Sequence, residues 1–445
     1  MTSSNSAPSV RSPTGLPVSV HVMPHDSIDT AVIAAIVLAA FLFALWFFTA
    51  FRAGGGVPGF YQSEFGPGVM MACGRGFVNP RLDAAPALQA FLSTRADRFT
   101  CDTLPRLIPE MKLTYFQEAH RYLIASAGLV WRAVGIGWHH LDALAAMFFA
   151  VALGAGYVAL RFVCGRLLSV LVIFAWAVSP LHLAILPNLR DYSKAPYFAL
   201  LLVATGIAFL ERRPWRLVGL GIVFGAVQAL GFGMRTDVLL NIVPFMVVLF
   251  AAAPDGMLGN LRAKFGCAAA VVVTFMVVAL PVLRSYQSGN NMWHVALLGL
   301  TTPFDRNLGI RPAPYDFGYA YRDRYVEARV SSYWTQGHPA SLPVEIGSVA
   351  YDSACWEYYR AILRDFPADI VSRAFASSLR LLNARLEVEP GQLGVTHPLL
   401  DRVMGRRVSA MEWYRGWGCL ALFTLVVLIG AERLRYALVA SSLVF

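Results

Sequence analysis

Charge is what this chain has least of. Asp, Glu, Lys and Arg make up 14% of its 445 residues, against about a quarter in ordinary soluble domains. So few charges cannot keep a chain of this length solvated, which excludes a soluble globular protein and leaves lipid as the main solvent. Cysteine is also sparse: the six residues show no CxxC and no Cys/His spacing of a zinc site. No glycine-rich nucleotide loop and no Ser/His/Asp arrangement is present. His139 and His140 adjoin without an acid pair, so no metal and no cofactor is expected. The net charge of +10 comes without a dense basic block. Nucleic acid is therefore not an expected partner, and the arginines read as determinants of topology.

What the chain has is apolar length. Hydrophobic residues make up 57% of it, and several runs approach the roughly 20 residues that span hydrocarbon as a helix. The first, "TAVIAAIVLAAFLFALWFFTA" (Thr30–Ala50), is too long for a signal-peptide core and reads as a retained anchor. Others lie near Leu141–Leu160, Leu167–Leu186, Ala195–Leu210, Leu217–Gly233, Val238–Ala253, Cys267–Leu283 and Gly416–Gly430. The expected fold is an all-α polytopic membrane protein. Residues 1–29 form a disordered cytoplasmic tail, and 30–283 a seven-span module that includes an outer loop, 52–118. Residues 284–415 form a large extracytoplasmic loop domain, and 416–445 one or two further spans. The last ten residues read as half a span, either a short tucked helix or the end of a fragment.

Short loops set the orientation, because Lys and Arg collect on the cytoplasmic side. One alternating set holds Arg161, Arg166, Arg212, Arg213, Arg216, Arg262, Lys264, Arg433 and Arg435; the other holds only Arg190, Lys194 and Arg235. The bias puts the second set outside and the N-terminus in the cytoplasm, in a membrane expected to be a bacterial inner membrane. Parity then leaves 116–138 without a crossing to make, and its mixed polarity suits a helix in the interface. "PADIVSRAFASSLRLLNARL", with apolar residues at helical spacing, reads as a second interfacial helix. Cys73 and Cys101 share the outer loop; a disulfide there is open on sequence alone.

Ionisable residues near a bilayer are costly and usually pair or line a cavity. Here they gather on one side: Glu64 after the first span, Arg190, Asp191 and Lys194 in "PNLRDYSKAP", and Arg235 and Asp237 in "GMRTD". Glu64 stands alone in "QSEFGPGVMMACGRGFVNP", where a solvated acid, a helix cap, a salt bridge and a catalytic base all remain open. Arg190, Lys194 and Arg235 together suit a phosphate, with Asp191 and Asp237 as supporting acids.

With these residues in hand, the chain resembles the C-type membrane glycosyltransferase superfamily, in its protein O-mannosyltransferase and aminoarabinose-transferase-like branch. "YQSEFGPGVMMACGRGFVNP" is similar to that family's acidic first-loop motif, with Ser63 where an acid is common. The run from His120 to Ile185 resembles its interfacial helix and next two spans. "YYRAILRDFPADIVSRAFASSLRLL" resembles its return from the large outer loop. The resemblance implies transfer of a sugar from a polyprenyl-phosphate donor to a glycan, lipid or protein acceptor, with Glu64 as base. A transporter or flippase, an envelope polymer ligase or polymerase, and an inactive scaffold are the alternatives, the last favoured by Ser63.

Overall fold

The structure, a computed structural model, describes Trp417 and residues 27–406, except 163–164, 212, 253–258, 286–290, 314, 316, 339–343, 345, 347, 384–392, 394 and 396. Most of the expected tail 1–29, the expected span Gly416–Gly430 apart from Trp417, and the closing half-span lie outside the described residues. The described chain is mostly helical, with strand pairing limited to two two-stranded ribbons. Five helices are long and apolar enough to cross a membrane: Ser27–Ala53, Trp138–Arg161, Leu189–Leu210, Pro214–Met234 and Leu261–Arg284. This is an all-α fold with the helices of an integral membrane protein.

The first part of the chain forms α1 (Ser27–Ala53), α2 (Gly66–Ala72), α3 (Pro86–Leu92), α4 (Tyr115–Ala119) and α5 (Arg121–Val134). Then follow α6 (Leu141–Arg161), α7 (Arg166–Ala177), α8 (Pro180–Ile185), α9 (Leu189–Tyr192) and α10 (Ala195–Leu210). The helical body closes with α11 (Pro214–Met234), α12 (Ile242–Val247) and α13 (Leu261–Ser285).

Two apolar runs that look like spans in sequence are not single long helices. Leu167–Leu186 breaks at Pro180, which lacks an N–H to continue α7, and the Ser179 side chain caps α8 by accepting from the His182 amide. Val238–Ala253 is split into 3₁₀ turns at Thr236–Asn241, α12, and a π turn at Val248–Ala252. Pro244, within α12, brings no amide hydrogen to that stretch.

Contacts give each passage its direction. α1 and α6 run antiparallel and are joined at both ends. Arg52 forms a two-pronged pair with Asp142, Nη2 to Oδ1 at 2.7 Å. At the other end buried Asp29 accepts from Tyr157 at 2.6 Å and pairs with Arg161 and Arg166. α7 and α8 climb back along α6, since Ile173 and Trp176 face Gly156 and His182 stacks on Phe149. α10 runs parallel to α6, with Tyr192 beside Phe149 and Gly206 against Phe162. α11 and α13 are also parallel and very close. A Cβ at Gly221 would fall 2.5 Å from the Cys267 carbonyl, and one at Gly225 2.6 Å from that of Val271.

The stretch from Gly54 to His140 is a folded cap rather than an open loop. α2 lies across α5 where Gly68 meets Gly128: a Cβ on Gly128 would fall 2.8 Å from the Gly68 carbonyl oxygen, and one on Gly68 2.9 Å from that of Ile124. Phe65, Phe91, Trp131 and Trp138 form its aromatic centre. Asn79–Pro80 pairs with Glu110–Met111, and Arg98–Phe99 with Ile136–Gly137. A disulfide joins Cys73 to Cys101, resolving what the sequence left open. At fourteen residues, α5 is about 21 Å long, short of the roughly 30 Å of hydrocarbon.

Beyond α13 lie α14 (Met292–Leu298), α15 (Thr302–Leu308), α16 (Asp323–Gly337), α17 (Val349–Asp365) and α18 (Pro367–Asn383). They share a core of their own that includes Leu297, Phe317, Val330, Tyr351 and Ile362. The stretch that follows does not stay with them. Leu393, Val395, Leu400 and Met404 enter the core formed by α1, α6 and α7. So the expected loop domain 284–415 returns its last described stretch to the helical body.

Removing the disulfide should loosen the cap selectively. Its ring spans 28 residues, a length for which cross-linking contributes about 3–4 kcal/mol. Cys73→Ser should lower the melting temperature in detergent and speed proteolysis within 54–140. A melting curve identical to that of the native chain, under non-reducing conditions, would count against a stabilising role.

Candidate functional site

The candidate site lies at the Arg52 end of the helical body. Three chain breaks converge there: the turn after α1, the α9 region between α8 and α10, and the exit from α11. Asn188 fixes the second by capping α9, its Oδ1 accepting from the Asp191 amide at 3.2 Å while its Nδ2 donates to Asp191 Oδ2 at 2.7 Å. At the third, Arg235 leaves helical geometry for an extended backbone, and Thr236–Asn241 follows as 3₁₀ turns.

The five ionisable residues expected from these two loops form one lattice. Arg190 donates to Asp191 at 3.1 and 3.2 Å. Arg235 Nη1 also lies against Asp191, and its Nε donates to Asp237 at 3.3 Å. Lys194 donates to the same Asp237 oxygen at 2.5 Å. All five side chains are between 22% and 33% exposed, so the lattice borders water without being immersed in it. Three cations and two carboxylates leave one net positive charge. Burial draws the Arg235 pKa below its usual value, with Asp237 opposing the shift.

Glu64 belongs to the same end but is not bonded to any of these cations. It sits in the 3₁₀ turn Gln62–Phe65, and Oε2 accepts from the Thr114 hydroxyl at 2.7 Å. It does not cap α2, whose N-cap is Phe65 without a side-chain bond. Of the readings open on sequence, the helix cap and a salt bridge to these cations are therefore not what the structure shows. Glu64 is half-buried, and that burial raises its pKa above the usual carboxylate value, partly offset by the Thr114 bond.

What joins the acid to the cations is aromatic. Tyr61, three residues before Glu64, has a left-handed backbone (φ 61°), an uncommon conformation for a residue with a bulky side chain. The Arg190 guanidinium lies 4.4 Å from its ring centroid, and Phe116 packs 5.4 Å away. Phe116 in turn stacks on His120 at 4.1 Å. The Phe116 carbonyl can only accept, so His120 Nδ1 donates to it at 3.0 Å. Burial, then repulsion from Arg190 and Arg235, lowers the His120 pKa to about 4, leaving the ring neutral at pH 7.

Sequence reasoning missed Thr114, Gln117, Tyr61, Phe116 and His120 as parts of this site. One signal was available: Thr114-x-x-Gln117 has capping-box spacing, and both of its bonds form at the start of α4. The same Gln117 side chain donates to the Glu64 carbonyl at 3.3 Å and to Asn79 at 3.1 Å. The box that starts α4 therefore also fixes the Glu64 turn. Among the described residues no group of three or more His, Cys, Asp or Glu could hold a metal ion.

No protein-family model, curated protein or solved structure matches the chain.

The raised Glu64 pKa has a stability consequence whose sign is fixed. Between the ordinary carboxylate value and its raised value the folded state binds more protons than the unfolded one, so stability falls as pH rises through that window. Glu64→Gln can still accept from Thr114 and carries no charge. It should melt above the native chain at pH 7 and together with it below pH ~4. Equal melting temperatures at both pH values would contradict the buried, raised carboxyl.

Proposed function

We propose that this chain is a membrane glycosyltransferase that moves a sugar from a polyprenyl-phosphate donor to an acceptor hydroxyl at the Arg52 face. The observation that carries the proposal is one juxtaposition. A carboxyl with raised pKa and a cation lattice of net charge +1 share one end of an apolar helical body, bridged by Tyr61.

The chemistry assigned to each group follows from charge. Glu64 takes the proton of the acceptor hydroxyl as its oxygen attacks the anomeric carbon; the bond from that carbon to the phosphate oxygen breaks, and the polyprenyl phosphate leaves. The phosphate gains one negative charge in the step. Arg190, Lys194 and Arg235 are placed to stabilise it, with Asp191 and Asp237 holding them until the donor arrives. A carboxyl with elevated pKa is the stronger base, and a positioned base typically contributes 10²–10⁴-fold.

The finer architecture belongs to the same proposal. The parallel pairs α6/α10 and α11/α13 require return passages between them. We assign these to α7–α8 and to Thr236–Ala252, which makes a seven-span module like that of C-type glycosyltransferases. The Arg52 end is then extracytoplasmic, following the arginine bias. A second reading, an inactive relative, is favoured by two observations: Ser63 stands where an acid is common, and all three cations are paired internally.

Transfer from a radiolabelled polyprenyl-phosphate sugar, with chain in nanodiscs, separates the two. Glu64→Gln should lose at least a hundredfold in turnover while keeping its fold, and Arg235→Ala should raise the donor KM about tenfold, equivalent to about 1.4 kcal/mol. Full turnover by Glu64→Gln removes it as base, and no transfer by the native chain with any such donor favours the scaffold.

A further inference from the structure

Helix α18 is inside out for a water-exposed helix. The face it turns to the protein is ionic. Arg373, only 6% exposed, pairs with Asp305 of α15 at 2.5 Å and with Asp369 of its own helix at 2.6 Å, and it donates to the Gly299 carbonyl. Asp369 also accepts from Tyr315 at 2.7 Å. The face it turns outward is apolar: Val371, Phe375 and Leu379, four residues apart, are 69%, 66% and 38% exposed. Residues at that spacing form one stripe along a helix. In water the reverse arrangement would be favoured, because burying Arg and Asp is costly and exposing Val and Phe forfeits their transfer energy.

We propose that this stripe lies on the membrane, seating α18 at the lipid headgroup boundary. Its packing partners and the chain that follows it place it there. Arg373 ties it to the corner between α14 and α15, and α14 starts only seven residues after Ser285 ends α13, the last of the long apolar helices among the described residues. On its other side the chain re-enters the helical body, where Leu393, Val395 and Leu400 pack with α1, α6 and α7. Charge agrees with anionic headgroups. Asp369 is the only acid of the helix and is turned inward, so no carboxylate of α18 lies on the stripe, while Arg380, exposed at the end of the helix, donates to Asn307 of α15 at 3.4 Å. Helices of this kind bury their apolar side 5–10 Å into the boundary and gain from anionic lipid. Neither contribution depends on the proposed transferase activity.

The test places benzoylphenylalanine, an aromatic photocrosslinker, at Phe375 of the full chain in nanodiscs of phosphatidylethanolamine and phosphatidylglycerol. Mass spectrometry should find lipid adducts on the α18 peptide, and none when the same crosslinker replaces Gln336, exposed on α16. With neutral phosphatidylcholine alone the adduct yield should fall, by up to about fivefold for one arginine at an anionic surface. Adducts to another peptide of this chain would assign the stripe to protein and overturn the proposal. So would lipid adducts no more abundant than at Gln336. Yields insensitive to phosphatidylglycerol would overturn the anionic preference.

Discussion

A charge inside an apolar body must be paired, and that constraint organises this protein from end to end. Taking an ion out of water costs several kcal/mol unless a partner and hydrogen bonds compensate. Each long helix that carries a charge near its end therefore has to bring it to a partner on another element. Asp29 meets Tyr157, Arg161 and Arg166, and Arg52 meets Asp142, so the first hairpin is fixed in register at both ends. The lattice linking the α9 region to the end of α11 obeys the same rule. Helices that bury only apolar residues in lipid are free to slide or rotate; these ionic contacts, with the glycine-mediated approach of α11 to α13, leave little freedom.

Much of this was legible in sequence, and the failures have physical causes. Apolar runs located the five helices that are long and apolar enough to cross a membrane among the described residues, because hydrocarbon selects for length and composition alone. Helix continuity was not legible from hydropathy. Leu167–Leu186 and Val238–Ala253 are as apolar as their neighbours, yet Pro180 ends one helix and the second interleaves 3₁₀, α and π turns. The five charged residues of the lattice were found because their loops fall on one side by the arginine bias. The environment of Glu64 was not, since its partner Thr114 lies fifty residues downstream. Nothing local in "QSEFGPG" encodes the bond.

The segment after α13 shows the opposite case, where local pattern was informative. The apolar spacing of α18 is plain in "PADIVSRAFASSLRLL", and the helix forms. Reading this helix as interfacial leaves its polar side for the protein, and in the structure that side is held by Arg373, Asp305 and Asp369, with Ile370 packed beside them.

In the proposed transfer, keeping Glu64 apart from the cations serves both the base and the donor phosphate. An arginine bonded to that carboxylate would stabilise its charged form and lower its pKa, weakening it as a base. The phosphate, however, needs cations close by. Stacking Arg190 on the Tyr61 ring meets both demands. The ring's negative face holds the guanidinium near the Glu64 turn without giving it to the carboxylate. The Thr114 hydroxyl, a neutral donor, supplies the orientation that an ion pair would otherwise provide. The uncommon left-handed backbone of Tyr61 fits this account, since it is the residue that must face the cations while the next turn presents the acid. His120, neutral behind Phe116, adds no competing positive charge at pH 7.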